Sequence, residues 1–218
     1  MMSESTRAIS KASKDVLRKL VPGSLLKQRD IVQRLGPAAG RIYATLRLSD
    51  GLGVRGSNRR RVPASARSFV FVCFGNIMRS AMAEFLMRRA LEEANIKQLR
   101  IVSAGLHAVA GREAHPWAQQ ASAELGISLT DHHAKPLTRE MVDQADCIMA
   151  MDFQNKAELM VLYPESRSHI YMLSAYADGP WQFREIPDPY MGDLETTRFC
   201  AQQLQTCIRN LVASMFPA

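Results

Sequence analysis

The sequence predicts an α/β protein, a parallel sheet with helices on both faces, preceded by a small basic helical extension. Three observations lead there. From Phe69 onward, short apolar runs alternate with amphipathic helical segments. A Gly-Asn loop joins the first of those runs to the first of those helices. The charge is split: residues 1–67 hold 15 Lys/Arg and 4 Asp/Glu, whereas the rest hold 13 and 17. The overall net charge of +7 therefore belongs to the extension and not to the body.

In the extension, "ISKASKDVLRKLV" puts Ile9, Ala12, Val16 and Leu20 on one side at helical spacing, and Pro22-Gly23 breaks it. "SLLKQRDIVQRLG", ending at Gly36, and "AAGRIYATLRL" are two further helical segments. "SDGLGVRGSNRRRVPASARS" reads as a linker, which makes residues 1–67 a separate module. The strands expected beyond it are "SFVFVC", "LRIVSA", "DCIMAM" and "HIYML". The helices are "RSAMAEFLMRRALEEA", "HPWAQQASAELG", "TREMVDQA", "DFQNKAELMVLY" and "GDLETTRFCAQQLQTCIRNLVASM". In the last helix Phe199, Leu204, Cys207, Ile208, Leu211 and Met215 form the apolar stripe.

Composition narrows the class. The chain is 47% hydrophobic, ordinary for a buried core, and no run approaches the roughly 18 apolar residues of a membrane span. The first residues carry Arg and Ser with few acids, as transit peptides do, but lack the apolar core of a secretory signal. The four cysteines, at 73, 147, 200 and 207, form no C-x-x-C pair. Cys200 and Cys207 share a helix about 10 Å apart, too far for a disulfide. Reduced thiols in a cytoplasmic setting fit best.

The chemistry concentrates in "VCFGNIMRSAMAE". The loop leaves the carboxyl end of a strand and enters the amino end of a helix, where open α/β sheets bind ligands. Unpaired amides and the helix dipole favour an anion there. Gly75 and Asn76 tolerate positive φ and let successive N–H groups turn inward around phosphate oxygens. Arg79 can add a bidentate fork for two more oxygens. The same positive surroundings favour a Cys73 thiolate, with Ser80 as hydrogen-bond donor to the sulfur. A thiolate under a phosphate cradle is a nucleophile aimed at phosphorus. The bland alternative is a buried Cys beside a surface Arg. On the helix that follows, Met82, Phe85, Leu86 and Ala90 face inward, with Glu84, Arg88 and Glu92 paired outside.

Such a thiolate needs an acid for the leaving oxygen. "EIPDPYMGD" offers Asp188 between Pro187 and Pro189, which restrict the loop; Tyr190 follows as an aromatic wall. The same residues also suit a plain turn.

"VCFGNIMRSAMAE" with "IPDPY" about 110 residues later resembles the low-molecular-weight protein tyrosine phosphatase family, over roughly residues 68–218. "SAG" (Ser103 to Gly105), "DHHAKPLT" and "ADCIMAMD" match further family segments. The resemblance implies a four-stranded parallel sheet and a phosphatase domain over 68–218. It also implies a two-step phosphotyrosine hydrolysis by Cys73, Arg79 and Asp188, with no metal or cofactor. Ser103 and His132 become supports of the loop, and Asp152 a structural acid. The loop amides from Phe74 through Gly75, Asn76, Ile77 and Met78 to Arg79 become the cradle of the equatorial oxygens, and Phe74 a contact to the substrate ring. Met78 stands where many members carry a second cysteine, Ala81 replaces a common Pro, and Met191 replaces a second aromatic. These departures bear on oxidation and specificity.

Two other readings share the loop: an arsenate reductase, which needs two more redox cysteines, and a phosphate-binding regulatory module without turnover. The implied substrate is a phosphotyrosine protein, with a bacterial tyrosine autokinase of exopolysaccharide control as the candidate. The basic extension suits an acidic partner or membrane surface; no specific nucleic-acid contact is predicted. His107, His115, His133 and His169 show no metal spacing and read as solvated or locally bonded, and Trp117 and Trp181 as packing residues.

Overall fold

The computed structural model describes residues 23–54, 60–179 and 185–217, with side chains from residue 28 onward. The helical segment at 9–21 and Trp181 lie outside the described residues. Four parallel strands form the sheet: β1 (Ser68–Cys73), β2 (Arg100–Gly105), β3 (Cys147–Ala150) and β4 (Ile170–Met172). Their order is β2-β1-β3-β4. After β1 the chain crosses to one side of it for β2 and to the other for β3. The carboxyl end of β1 is thus the topological switch point, where such sheets leave a crevice.

Period-2 alternation divides β1 between two cores. Phe69, Phe71 and Cys73 face one cluster, shared with α2 (Arg79–Glu93), α3 (Pro116–Glu124) and α6 (Leu194–Met215). Val70 and Val72 face the other, shared with α4 (Arg139–Asp143) and α5 (Phe153–Leu162). The helices begin where their sequences supply caps. Asp152 accepts from Asn155 N at α5, Asp193 from Thr196 N at α6, and Thr138 from Met141 N at α4. Cys147, Cys200 and Cys207 are buried free thiols, and burial pushes each up to about 12.

The extension contributes α1 (Gly23–Gly51), a helix sharply bent at Gly36. Gly36 has φ 73° and ψ 177°, and Pro37 starts the second half, where its missing N–H costs nothing. A side chain on Gly40 would meet the Val32 carbonyl oxygen at 2.8 Å, so the halves close on each other only through a glycine. The described part of the extension is not detached. Ile31, Ala39, Tyr43 and Leu46 are buried in the same cluster as Val70, Val72, Ile148 and Phe153. The end of the linker also packs: Val62 N donates to the Tyr176 hydroxyl, and Arg67 N and Ser68 N donate to Asp146. Arg60 and Arg61 lie over the rings of Tyr171 and Tyr176. Among the described residues no helix is long and apolar enough to cross a membrane.

Two side-chain expectations are corrected. Glu84 is buried, not solvated, because Ser103 and Arg88 both reach it. Phe199 is 47% exposed; α6 turns Cys200, Ala201 and Leu204 inward instead.

Candidate active site

The loop after β1 wraps around Asn76. Its backbone has φ 53°, the left-handed conformation that Asn tolerates better than most residues. That turn aims Asn76 N at Cys73 Sγ, 3.3 Å away. Every polar group of the Asn76 side chain is used. Nδ2 donates to Ser80 Oγ (2.9 Å) and Ser103 Oγ (2.8 Å), and Oδ1 accepts from Lys135 N (2.8 Å). Ser103 in turn donates to Glu84 Oε2 at 2.6 Å, and Arg88 closes the chain on Glu84 Oε1 at 2.8 Å. Such a network is stable in the interior because its members are mutually satisfied.

His132 approaches the loop from the far side, with Nε2 2.7 Å from the Asn76 carbonyl. A carbonyl only accepts, so Nε2 carries the proton. Burial pushes His132 below its ordinary value, although the Asn76 carbonyl works the other way. The imidazole is therefore neutral at pH 7 and acts as a strut. His115 N donates to the Ile77 carbonyl at 2.9 Å and pins the loop's second half. Gly105 forms its floor: a Cβ there would meet Asn76 N and the Phe74 carbonyl at 2.8 Å.

Cys73 Sγ lies 3.0 Å from Ser80 Oγ, itself buried at the start of α2. Arg79, 2% exposed, is held from two sides. Nη1 donates to Asp152 Oδ2 (2.5 Å) and to the Ile186 carbonyl (3.1 Å), and Nη2 to Asp188 Oδ2 (2.6 Å). Burial opposes its charge, but Asp152 and Asp188 outweigh that, and the guanidinium stays cationic.

One pocket opens above these groups. It is lined by Cys73, Phe74, Gly75, Ile77, Met78 and Arg79 from the loop after β1, by His107, Val109 and Arg112 from the segment after β2, and by Asp188 and Tyr190 from the segment before α6. Phe74 stacks on His107, with ring centroids 4.5 Å apart, and Tyr190 meets His115 edge-on at 5.9 Å. The structure thus brings together all the residues singled out in sequence: Cys73 through Ser80, Asp188 and Tyr190 in or directly under the pocket, Ser103 and His132 behind it. Met191 is 90% exposed and does not line it. Sequence reasoning missed Glu84, whose helical spacing to Arg88 suggested a surface pair. It also missed His107, Val109 and Arg112, which follow β2 at the switch point; that position was their available signal. No group of three or more His, Cys, Asp or Glu able to hold a metal occurs among the described residues.

Residues 68–216 match the family model described as low molecular weight phosphotyrosine protein phosphatase. The low molecular weight protein-tyrosine-phosphatase Ptp of Acinetobacter johnsonii is 34% identical over 142 residues, 65% of this chain and 93% of that one. A protein-arginine-phosphatase of Bacillus subtilis is 30% identical over 146 residues, covering 67% and 95%. The crystal structure of the Erwinia amylovora tyrosine phosphatase AmsI superposes with a TM-score of 0.62 at 29% identity, over 68% of this chain and 93% of that one. With its sheet order, its Cys73–Arg79 loop and a family match spanning the whole α/β body, the chain belongs to the low molecular weight phosphotyrosine protein phosphatase family.

Proposed function

We propose that the protein hydrolyses phosphotyrosine in proteins through a phosphocysteine intermediate. The observation that carries this reading is the convergence of Cys73 Sγ, the Arg79 guanidinium and the Asp188 carboxylate in the lining of one aromatic-walled pocket.

In the first step the Cys73 thiolate attacks phosphorus. An S–P bond forms, the P–O bond to the phenol breaks, and Asp188 gives its proton to the departing oxygen. In the second step water attacks phosphorus, Asp188 takes its proton, and the thiolate leaves inorganic phosphate behind. Ser80 Oγ, 3.0 Å from the sulfur, donates to the thiolate before the attack and again as it leaves, and Arg79 with the loop amides holds the equatorial oxygens. In the ligand-free site Asp188 occupies Arg79 Nη2. A phosphoryl group takes over that donor, and Asp188 is freed to face the leaving oxygen. Asp152 and the Ile186 carbonyl keep Nη1 in place throughout.

Pocket walls favour a phenolic substrate. Phe74, Ile77, Val109 and Tyr190 suit a flat apolar ring. A phosphoarginine would bring a cationic leaving group into the pocket that Arg112 also lines, an unfavourable pairing. Arsenate reduction needs further redox cysteines at the site, whereas Cys147, Cys200 and Cys207 are buried thiols pushed up to about 12. Opposing an autophosphorylating bacterial tyrosine kinase in exopolysaccharide control is the setting that the family resemblance supports. Cytoplasmic residence accords with the reduced cysteines.

The test is hydrolysis of matched phosphotyrosyl and phosphoarginyl peptides by wild type and Cys73→Ser. The reading expects turnover of the first peptide, far less of the second, and a Cys73→Ser form that binds phosphotyrosine without hydrolysing it. Equal behaviour of both forms would mean a binding module.

A further inference from the structure

The family match begins at residue 68, yet α1 of the extension reaches the loop that carries Asp188. Arg47 Nη1 lies 2.7 Å from Glu185 Oε2, and the other carboxylate oxygen, Oε1, accepts Phe153 N at 2.9 Å. Glu185 is therefore shared between the extension and the start of α5. The next residue is tied twice: Ile186 N donates to the Met151 carbonyl at 2.8 Å, and its own carbonyl accepts Arg79 Nη1. Asp188 follows two residues later.

Arg47 is itself held in one orientation. Its guanidinium lies 5.6 Å from the ring centroids of both Tyr43 and Phe153. Nε donates to the Tyr43 hydroxyl (3.1 Å) and Gln28 Oε1 (3.2 Å), and Tyr43 donates to the same Gln28 oxygen. Tyr43 is buried in the core cluster that fixes α1 to the sheet. A continuous chain of packed and bonded groups thus runs from α1 through Arg47, Glu185 and Ile186 to Arg79 and Asp188. Without Arg47, the largely buried Glu185 carboxylate keeps, among the described residues, the Phe153 amide as donor but loses its ion-pair partner, which favours a different loop position.

We propose that Arg47 is a positioning residue for the phosphatase reaction: through Glu185 it sets the acid loop, so that the N-terminal extension is a working part of the active site. This rests on Asp188 being the proton donor. A donor displaced by a fraction of an ångström matters most when the leaving group is poor, because only then does the P–O cleavage depend strongly on its proton.

The experiment compares kcat/KM for phenyl phosphate, a poor leaving group, with that for p-nitrophenyl phosphate, a good one, in the full-length chain. Asp188→Asn calibrates the assay by lowering the phenyl-to-nitrophenyl ratio. Arg47→Met is expected to lower that ratio about 10-fold, Arg47→Lys to recover most of it, and Arg41→Met on the exposed face of the same helix to leave it unchanged. Glu185→Gln approaches the link from the other partner, keeps the side-chain shape, and is expected to lower the ratio in the same direction. It serves also if Arg47→Met does not fold. An unchanged ratio in Arg47→Met and Glu185→Gln, with Asp188→Asn still lowering it, overturns the role of Arg47 alone; so does an equal loss on both substrates. An unchanged ratio in Asp188→Asn overturns the assignment of the acid, and the inference with it.

Discussion

The two loops that meet on Arg79 are held in opposite ways. Residues 73–80, Phe74 and Gly75 excepted, are buried, and the side chain, carbonyl and amide of Asn76 all have partners within the protein. Residues 185–191 are fastened at Glu185 and Ile186 and then emerge: the Asp188 side chain is 43% exposed, Tyr190 is 45% exposed and Met191 is almost free. The phosphate cradle is thus preorganised, which suits a site that must recognise one charge distribution without reorganising. The acid lies on a loop able to shift, which suits a group that pairs with Arg79 when the site is empty and serves the leaving oxygen when it is full. Damage to the first loop should register in stability; damage to the second should register in rate.

The largest expected effect concerns the cradle's sulfur. Met78 offers no partner for a loop disulfide, and the other cysteines are buried thiols. Peroxide should therefore carry Cys73 beyond the sulfenic acid, and dithiothreitol should not restore activity. Full recovery on reduction would show that another cysteine reaches Cys73.

Next is the acid. Asp188→Asn should lower kcat about 10²–10³-fold while shifting the urea unfolding free energy by less than about 1 kcal/mol, since its ion pair is half exposed and Asp152 still holds Arg79. A large stability loss there would erase the contrast between the loops. Asn76→Ala is the converse case. It should cost roughly 3 kcal/mol, because Lys135 N and two hydroxyls lose their partner and a non-Asn residue must hold positive φ.

The smallest effect is the pH dependence that His132 gives the cradle. Its folded value lies below the ordinary 6.5 because of burial, so the unfolded chain takes up the proton first as pH falls. Above 6.5 His132 contributes no pH slope; from there down through the folded value it should weaken the fold progressively. Urea titrations of wild type and His132→Gln should converge in that window, and parallel curves would mean that His132 is not buried neutral.

Much of this was legible in sequence because chemistry and pattern coincide. "SFVFVC" followed by Gly-Asn and an Arg-Ser helix start specifies strand, anion loop and helix in one stretch, and β1 and α2 form there. Asp188 was found because two prolines frame it. What was hidden depends on contacts far apart in the chain. Glu84 looks like a surface i,i+4 partner until β2 brings Ser103 against it. His107 and Arg112 acquire meaning only once the carboxyl ends of β1 and β2 lie side by side, with Cys73 opposite Gly105. Arg47 lies in a charge-rich stretch where one arginine is indistinguishable from the rest until α1 packs beside α5.

Trapping the intermediate separates a phosphocysteine mechanism from direct attack by water. Asp188→Asn, mixed with p-nitrophenyl phosphate and quenched in acid, should carry one phosphoryl group on the peptide containing Cys73, because the good leaving group permits the first step while hydrolysis lacks its base. Turnover without any phosphoryl group on Cys73, in this variant and in wild type alike, would contradict the phosphocysteine mechanism.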